Sequence, residues 1–156
     1  MYLSIASLPQ GTISQDRIIM RALAAIIFLL ASNAAMAAGS SAGFGMGGFE
    51  GFDAKVAEYN QSGELFRIQG HCQSACTKFL GIRNVCVERS AKLLFHASHD
   101  RQRNISQRWT AHTLGHYNAA LRNYLVANHY VDTLAFHTIP GSEIIGKFGY
   151  RECPKR

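Results

Sequence analysis

The stretch from Gly70 to Thr77 lies between two segments with different hydrophobic patterns. Leu65 to Ile68 is a short apolar run that predicts a strand, and the run from Ala75 to Gly81 predicts a helix. A serine between a strand and a helix can be held at a sharp turn, with its hydroxyl at the end of a sheet and the first N–H groups of the helix beside it. Ser74 is therefore a candidate nucleophile, although a serine in this position also serves as a simple helix cap.

The order of the other segments limits the fold class. Ala91 to Phe95 predicts another strand, which ends at His96. The remaining predicted elements are a helix over 52–60 that ends at Gly63, a strand over 85–87, a long helix from Ser106 to about His129, and a helix over 143–148 capped by Ser142. Helices that alternate with strands are typical of an α/β layer, so we predict a short, mostly parallel sheet with flanking helices and one long helix.

The first 37 residues are typical of a secretory signal peptide. Arg17 and Arg21 precede the apolar segment 22–31, and Ala35-Met36-Ala37 places small residues at a cleavage site. Met20 begins a more typical signal than Met1, so we interpret Met20 as an alternative start. We therefore expect a periplasmic or secreted protein that has no membrane segment after cleavage.

The domain organisation follows from that cleavage. About 119 residues remain, which is enough for one modest core. Residues 38–51 are rich in Gly, Ala and Ser and predict a flexible leader, and residues 52–156 form the predicted α/β domain.

Four cysteines remain in the cleaved chain, and an even number in a short exported protein favours disulfide bonds. Three pairings are open. We expect Cys76 to pair with Cys86, which would link the helix after Ser74 to the next strand, and Cys72 to pair with Cys153. A zinc site of four cysteines is the alternative, but the ligand spacing fits it only loosely.

The net charge of +6 is spread along the chain. Because the protein is expected to be exported, we predict a solvated basic surface and no nucleic-acid partner. We also expect no cofactor.

The spacing of these features resembles that of a known family. Gly70-x-Cys72-x-Ser74-Ala75-Cys76, a helix, and then Ala91-Lys92-Leu93-Leu94-Phe95-His96-Ala97 is similar to the exported Clp-protease-like proteins of the Clp/crotonase superfamily. The resemblance covers roughly residues 47 to 150. It implies an abbreviated fold of that type, since a signal peptide stands where the family's first strand–helix units would be.

The resemblance also implies a catalytic arrangement. Ser74 would be the nucleophile, His96 the general base and Asp132 the acidic residue that orients the histidine. The backbone N–H of Ala75, with one from Gly47 or Gly48, would form the oxyanion hole. Asp132 lies closer to Phe136 than the family pattern requires.

Several other residues have alternative interpretations. Lys78 could act as a base beside Ser74, but we expect a solvated helix residue. His112 and His116 have a spacing that could share a metal, but no third ligand is evident, so we interpret them as polar-face histidines and predict no metal site. Trp109, Tyr117 and Tyr124 recur at helical spacing and are interpreted as core or oligomer contacts.

Two functions remain in view. The first is an exported serine hydrolase or peptidase that cuts a peptide or acyl bond. The alternative is a catalytically inactive, disulfide-stapled envelope protein of the same fold that acts by binding. In both cases a shortened fold leaves a sheet edge exposed, so we predict a homo-oligomer that forms through that edge or the long helix.

Overall fold

The computed structural model describes residues 39–44 and 49–155, with the backbone only for residues 49 and 50. The predicted signal peptide and the predicted oxyanion-hole residues Gly47 and Gly48 lie outside the described residues. None of the helices in the described ranges has both the length and the apolar character that a membrane span requires.

The predicted α/β class is confirmed, because short strands and helices alternate along the chain. The strands are β1 (Gly39–Ser40), β2 (Phe66–Ile68), β3 (His71–Gln73), β4 (Val85–Val87), β5 (Lys92–Phe95) and β6 (His137–Pro140). The helices are α1 (Phe49–Ser62), a 3₁₀ helix (Ser74–Gly81), α2 (Gln107–Leu114), α3 (Ala119–Ala127) and α4 (Gly141–Phe148).

Two three-stranded sheets replace the single sheet that the sequence predicts. The first has the order β1-β2-β4 and is parallel. The second has the order β3-β5-β6, in which β3 and β5 are parallel and β6 is antiparallel to β5. Gly70 separates β2 from β3 with a φ of 63°, a left-handed conformation that glycine adopts without strain. This turn moves the chain from one sheet to the other just before Ser74.

The core beside the first sheet is aromatic. Phe66 from β2 contacts Phe79 of the 3₁₀ helix at 4.5 Å between ring centroids, and Phe52 of α1 contacts Phe79 at 5.3 Å. All three rings are buried. Since buried aromatic rings contribute a large share of core stability, this contact fixes the 3₁₀ helix against α1 and β2.

The predicted flexible leader is partly structured. Gly39 and Ser40 form β1, and Ser41 Oγ accepts a hydrogen bond from Gln69 N–H at 2.9 Å. A Cβ atom at Gly39 would lie 1.8 Å from the hydroxyl oxygen of Tyr59, so a larger residue there would require the Tyr59 side chain to move. The Gly-, Ala- and Ser-rich composition of residues 38–51 predicted a flexible segment, because composition carries no information about which residues pack closely in the fold.

The single long helix predicted from Ser106 to His129 is wrong, because the chain forms α2 and α3 instead. Ser106 caps α2 as predicted, by accepting a hydrogen bond from Trp109 N–H. Asn118 then caps α3 by accepting one from Leu121 N–H at 3.0 Å. Asparagine favours the cap position over a helix interior, so this local preference overrides the helical periodicity.

The last helix also begins earlier than predicted. It starts at Gly141 after Pro140, without the side-chain cap expected from Ser142. A Cβ atom at Gly141 would lie 2.1 Å from the carbonyl oxygen of Glu88, so α4 begins where the backbone closely approaches the turn that follows β4.

Both predicted disulfide pairings are wrong. Cys72 pairs with Cys76, and Cys86 pairs with Cys153. Cys72 lies in β3, and Cys76 lies in the 3₁₀ helix that begins two residues later at Ser74. The two cysteines are therefore close in space as well as in sequence. The C-terminal segment bridges β4 between Val87 and Glu152, which brings Cys153 to Cys86. The four-cysteine zinc site is not formed, because all four thiols are in disulfides.

The two disulfides should differ in their contribution to stability. The Cys86–Cys153 bond joins residues 67 apart and the Cys72–Cys76 bond joins residues 4 apart. Loop entropy predicts a contribution of about 4 kcal/mol for the first and about 2 kcal/mol for the second. Urea unfolding of Cys86→Ala/Cys153→Ala and of Cys72→Ala/Cys76→Ala, each compared with the oxidised wild type, measures the difference.

Each double variant removes two buried sulfur atoms, so each is a matched control for the other. Equal losses of unfolding free energy would contradict the expected dependence on loop length.

Candidate active site

Ser74 lies at a strained turn between β3 and the 3₁₀ helix. Its φ is 55°, a conformation that is uncommon for residues other than glycine. The side chain is half-buried. Strained backbone at a nucleophile is a recurring feature of strand–turn–helix hydrolase sites, where it projects the hydroxyl out of the sheet.

His96 follows β5 directly and faces this serine. The distance from Ser74 Oγ to His96 Nε2 is 2.8 Å, which is a normal hydrogen bond. Within that bond the serine hydroxyl donates when the imidazole is neutral and Nε2 carries no proton. This is the geometry that a general base needs in order to take the serine proton.

The parallel pairing of β3 with β5 brings the two residues together. Gln73 pairs with Leu94 in the register of the two strands. Parallel strands end at the same edge of a sheet, so the residues that follow them meet there. A shift of one residue would turn the side chains to the opposite face.

Burial favours the neutral imidazole of His96. Desolvation lowers the pKa of His96, the Ala97 backbone opposes this in part, and the positive charges of His99 and Arg103 lower the pKa further. The edge of the imidazole meets the Phe136 ring, with 4.7 Å between centroids. The histidine is thus kept in the form that accepts a proton.

Two buried hydroxyl groups hold the turn from inside. Thr77 Oγ1 donates to the carbonyl oxygen of Ser74 at 2.7 Å. It accepts from the hydroxyl of Tyr117 at 2.5 Å. Burial raises the pKa of Tyr117, so the phenol keeps the proton it donates. Tyr117 was interpreted from the sequence as a core or oligomer contact. Its hydrogen bond to Thr77 was not predicted, because Tyr117 lies in the segment between α2 and α3, where a continuous helix was expected.

The Cys72–Cys76 disulfide joins the residue two positions before Ser74 to the residue two positions after it, with 5.2 Å between the two Cα atoms. A covalent bond across so short a loop limits the backbone conformations open to Ser74. The disulfide therefore stabilises the same turn as the Thr77–Tyr117 contact.

Asp132 does not reach His96. Its carboxylate contacts His129 Nδ1 at 2.7 Å, and both side chains are exposed. His96 Nδ1 is buried and makes no hydrogen bond of normal geometry with any of the described residues. The prediction that Asp132 orients His96 is therefore wrong, and the described site is a Ser–His pair.

Ala75 has the position expected of an oxyanion-hole donor. It is the second residue of the 3₁₀ helix, and the first N–H groups of a helix have no acceptor within the helix. The second donor expected from Gly47 or Gly48 belongs to a segment that is not described.

Lys78 is buried, which corrects the expectation of a solvated side chain. Its ammonium pairs with Asp53 of α1, whereas Ser74 Oγ contacts His96. Burial lowers the pKa of Lys78, although the carboxylate opposes this change. Burial also acts to raise the pKa of Asp53, but hydrogen bonds from Lys78 and His112 outweigh it, so that pKa is lowered. The sequence carried no signal for this contact, because Asp53 and Lys78 lie on different helices.

A cavity of about 20 Å³ lies against the pair, lined by Ser74, His96, Thr110 and Tyr117 among others. Such a volume has room for about one water molecule but not for an acyl chain. A substrate would therefore have to approach Ser74 from the outer surface or displace residues that close the cavity.

Comparison with models of protein families finds none that matches this chain, and comparison with curated proteins finds no significant match. The case for a function therefore depends on the geometry of the Ser74–His96 pair.

The titration of His96 gives a direct check of its environment. Because burial favours the neutral ring, its midpoint should lie below the ordinary histidine value of about 6.5. Proton NMR of the imidazole Cε1–H resonances against pH measures it, and the signal missing from His96→Gln identifies the residue. A midpoint at or above the ordinary value would contradict the described burial.

Proposed function

We propose that this protein is a serine hydrolase that cuts a peptide or acyl bond with Ser74 as nucleophile and His96 as general base. The observation that carries the proposal is the 2.8 Å contact between Ser74 Oγ and His96 Nε2, at a serine with a φ of 55°. A serine that only caps a helix needs neither a strained backbone nor a histidine beside its hydroxyl.

In the proposed reaction, Ser74 Oγ attacks the carbonyl carbon while His96 Nε2 takes the hydroxyl proton. The histidine then gives this proton to the leaving group, which departs as an amine or an alcohol. Water, activated by the same histidine, hydrolyses the acyl-serine and restores the serine. The N–H of Ala75 faces the developing oxyanion, and removing one such donor typically costs about 2.7–4 kcal/mol of transition-state stabilisation.

The lowered pKa of His96 supports its assignment as the base. At neutral pH the ring is uncharged and can accept the serine proton. As the pH falls through this lowered value the ring is protonated and the serine loses its base. Activity should therefore persist into mildly acidic solution, below the pH at which an ordinary histidine becomes charged.

The order of the elements supports an abbreviated Clp/crotonase-type fold. A strand, a serine turn, a helix, a strand and a histidine follow each other as in the exported Clp-protease-like proteins. The two disulfides are typical of an oxidising compartment, and with the signal-like N-terminus they support a periplasmic or secreted location. Self-association through an unpaired sheet edge is part of the same proposal.

A second candidate function is binding without catalysis. It is favoured by His96 Nδ1, which lacks a partner among the described residues, and by a cavity too small for an acyl chain. In this case the disulfide-stapled fold would present its surface to an envelope partner, and the Ser–His contact would be structural.

Reaction with a fluorophosphonate probe separates the two candidates. We expect the oxidised wild-type protein to be labelled and Ser74→Ala to be unlabelled, because the probe reacts only with an activated serine. Labelling of His96→Ala should fall by at least about a hundredfold, since general-base catalysis contributes on that order.

Ser142→Ala is the matched control, because Ser142 is exposed at the start of α4 and should leave labelling unchanged. A folded wild-type protein that is not labelled would contradict hydrolysis and favour the binding function.

A further inference from the structure

A second cluster of polar side chains lies outside the Ser74–His96 pair. Asp53 of α1 faces two histidines, His112 in the last turn of α2 and His116 just beyond that helix. Oδ2 of Asp53 lies 3.0 Å from His112 Nε2, and Oδ1 lies 3.1 Å from His116 Nε2. One potential ligand atom from each of the three residues lies within 4.8 Å of the others.

We propose that Asp53, His112 and His116 bind a divalent transition-metal ion, with zinc as the best match. Two imidazole nitrogens and one carboxylate form a ligand set that zinc accepts, with a fourth position left for water. In a tetrahedral zinc site with bonds of about 2.0–2.1 Å, neighbouring ligand atoms are about 3.3 Å apart. The two contacts to Asp53 are close to this value, but they reach different oxygens of the carboxylate. Because the ligand atoms are separated by as much as 4.8 Å, binding would require the side chains to rotate until all three face one ion.

The cluster is open to an ion from solution. The side chain of His112 is 44% exposed and that of Asp53 is 32% exposed, while that of His116 is 17% exposed. The two imidazoles are 5.4 Å apart between centroids and are nearly perpendicular, so both ring edges reach the carboxylate. The site therefore combines partial burial with a path for entry.

Lys78 is the competing cation in the metal-free protein. Its buried ammonium is paired with Oδ1 of Asp53, the same oxygen that faces His116. A bound metal ion has to replace the ammonium at this oxygen, because two cations at one carboxylate repel each other. Removing the ammonium should consequently strengthen metal binding.

Binding would link α1 to the segment around α2 and would be visible without any enzymatic assay. The chain has one tryptophan, Trp109, whose ring lies 5.8 Å from the ring of His112 and nearly perpendicular to it. Its fluorescence should change when His112 binds an ion. A ligand that binds only the folded protein also raises its thermal stability.

The test is titration of the oxidised, tag-free protein with Zn²⁺ by calorimetry and with Co²⁺ by visible absorption. We expect one ion per chain, a change in Trp109 fluorescence, and affinities at least about tenfold weaker in His112→Ala and His116→Ala. Lys78→Met should bind more tightly than the wild type. The matched control is His129→Ala, because His129 also contacts an aspartate but is exposed and lies outside the cluster.

Circular dichroism shows whether each variant is folded. His112 is the most exposed ligand, so its variant decides the question if Lys78→Met or His116→Ala does not fold. Absence of binding to the wild type, equal binding by His112→Ala, or loss of binding in His129→Ala would each overturn the proposal. Fluorophosphonate labelling of Ser74 should be the same in His112→Ala as in the wild type. The metal site and the hydrolase function are therefore tested independently of each other.

Discussion

The parallel pairing of β3 with β5 is the interaction on which the candidate site depends. Cys72 pairs with Leu93 and Gln73 with Leu94, and the next residues along the two strands lead to Ser74 and His96. The inward-facing side chains of Cys72, Leu93 and Phe95 are buried, which fixes the register, since a shift of one residue would expose them. The same packing that stabilises this short sheet therefore sets the distance between Ser74 and His96.

Short strands alone would hold such a pair loosely, and the chain adds constraints around the serine. The disulfide Cys72–Cys76 and the buried contacts from Tyr117 through Thr77 to the Ser74 carbonyl act on the same few backbone atoms. The 3₁₀ helix that follows has eight residues and is longer than most helices of this type. Its Phe79 packs into the aromatic core, so the strained turn is attached to the best-packed part of the fold.

The local parts of this arrangement could be predicted from the sequence. The strand at Ile68, the turn at Ser74 and the strand before His96 all carry short-range signals, and the α/β class follows from their order. The Cys86–Cys153 pairing could not be predicted, because it depends on the C-terminal segment meeting β4 at Val87. The division into two sheets depends on Gly70, whose left-handed turn the strand pattern does not reveal.

The contact between Ser74 and His96 follows from local signals at the ends of two strands, whereas contacts between distant segments could not be read from the sequence. The residue chosen to orient His96, Asp132, pairs instead with His129, its neighbour three positions before it. Conversely, Asp53 meets Lys78, His112 and His116 only because α1 packs against the 3₁₀ helix and the end of α2. No spacing within the sequence records a contact between separate helices, so the candidate metal cluster emerges from the three-dimensional structure.

Mapping a covalent adduct is the most direct test that Ser74 is an activated nucleophile. Trypsin cuts after Arg67 and Lys78, and Ser74 is the one serine in the peptide between them. After treatment with a fluorophosphonate, reduction and digestion, tandem mass spectrometry should locate the phosphonyl group on Ser74 of this peptide. An adduct on a serine elsewhere in the chain, or none on the folded protein, would contradict the account.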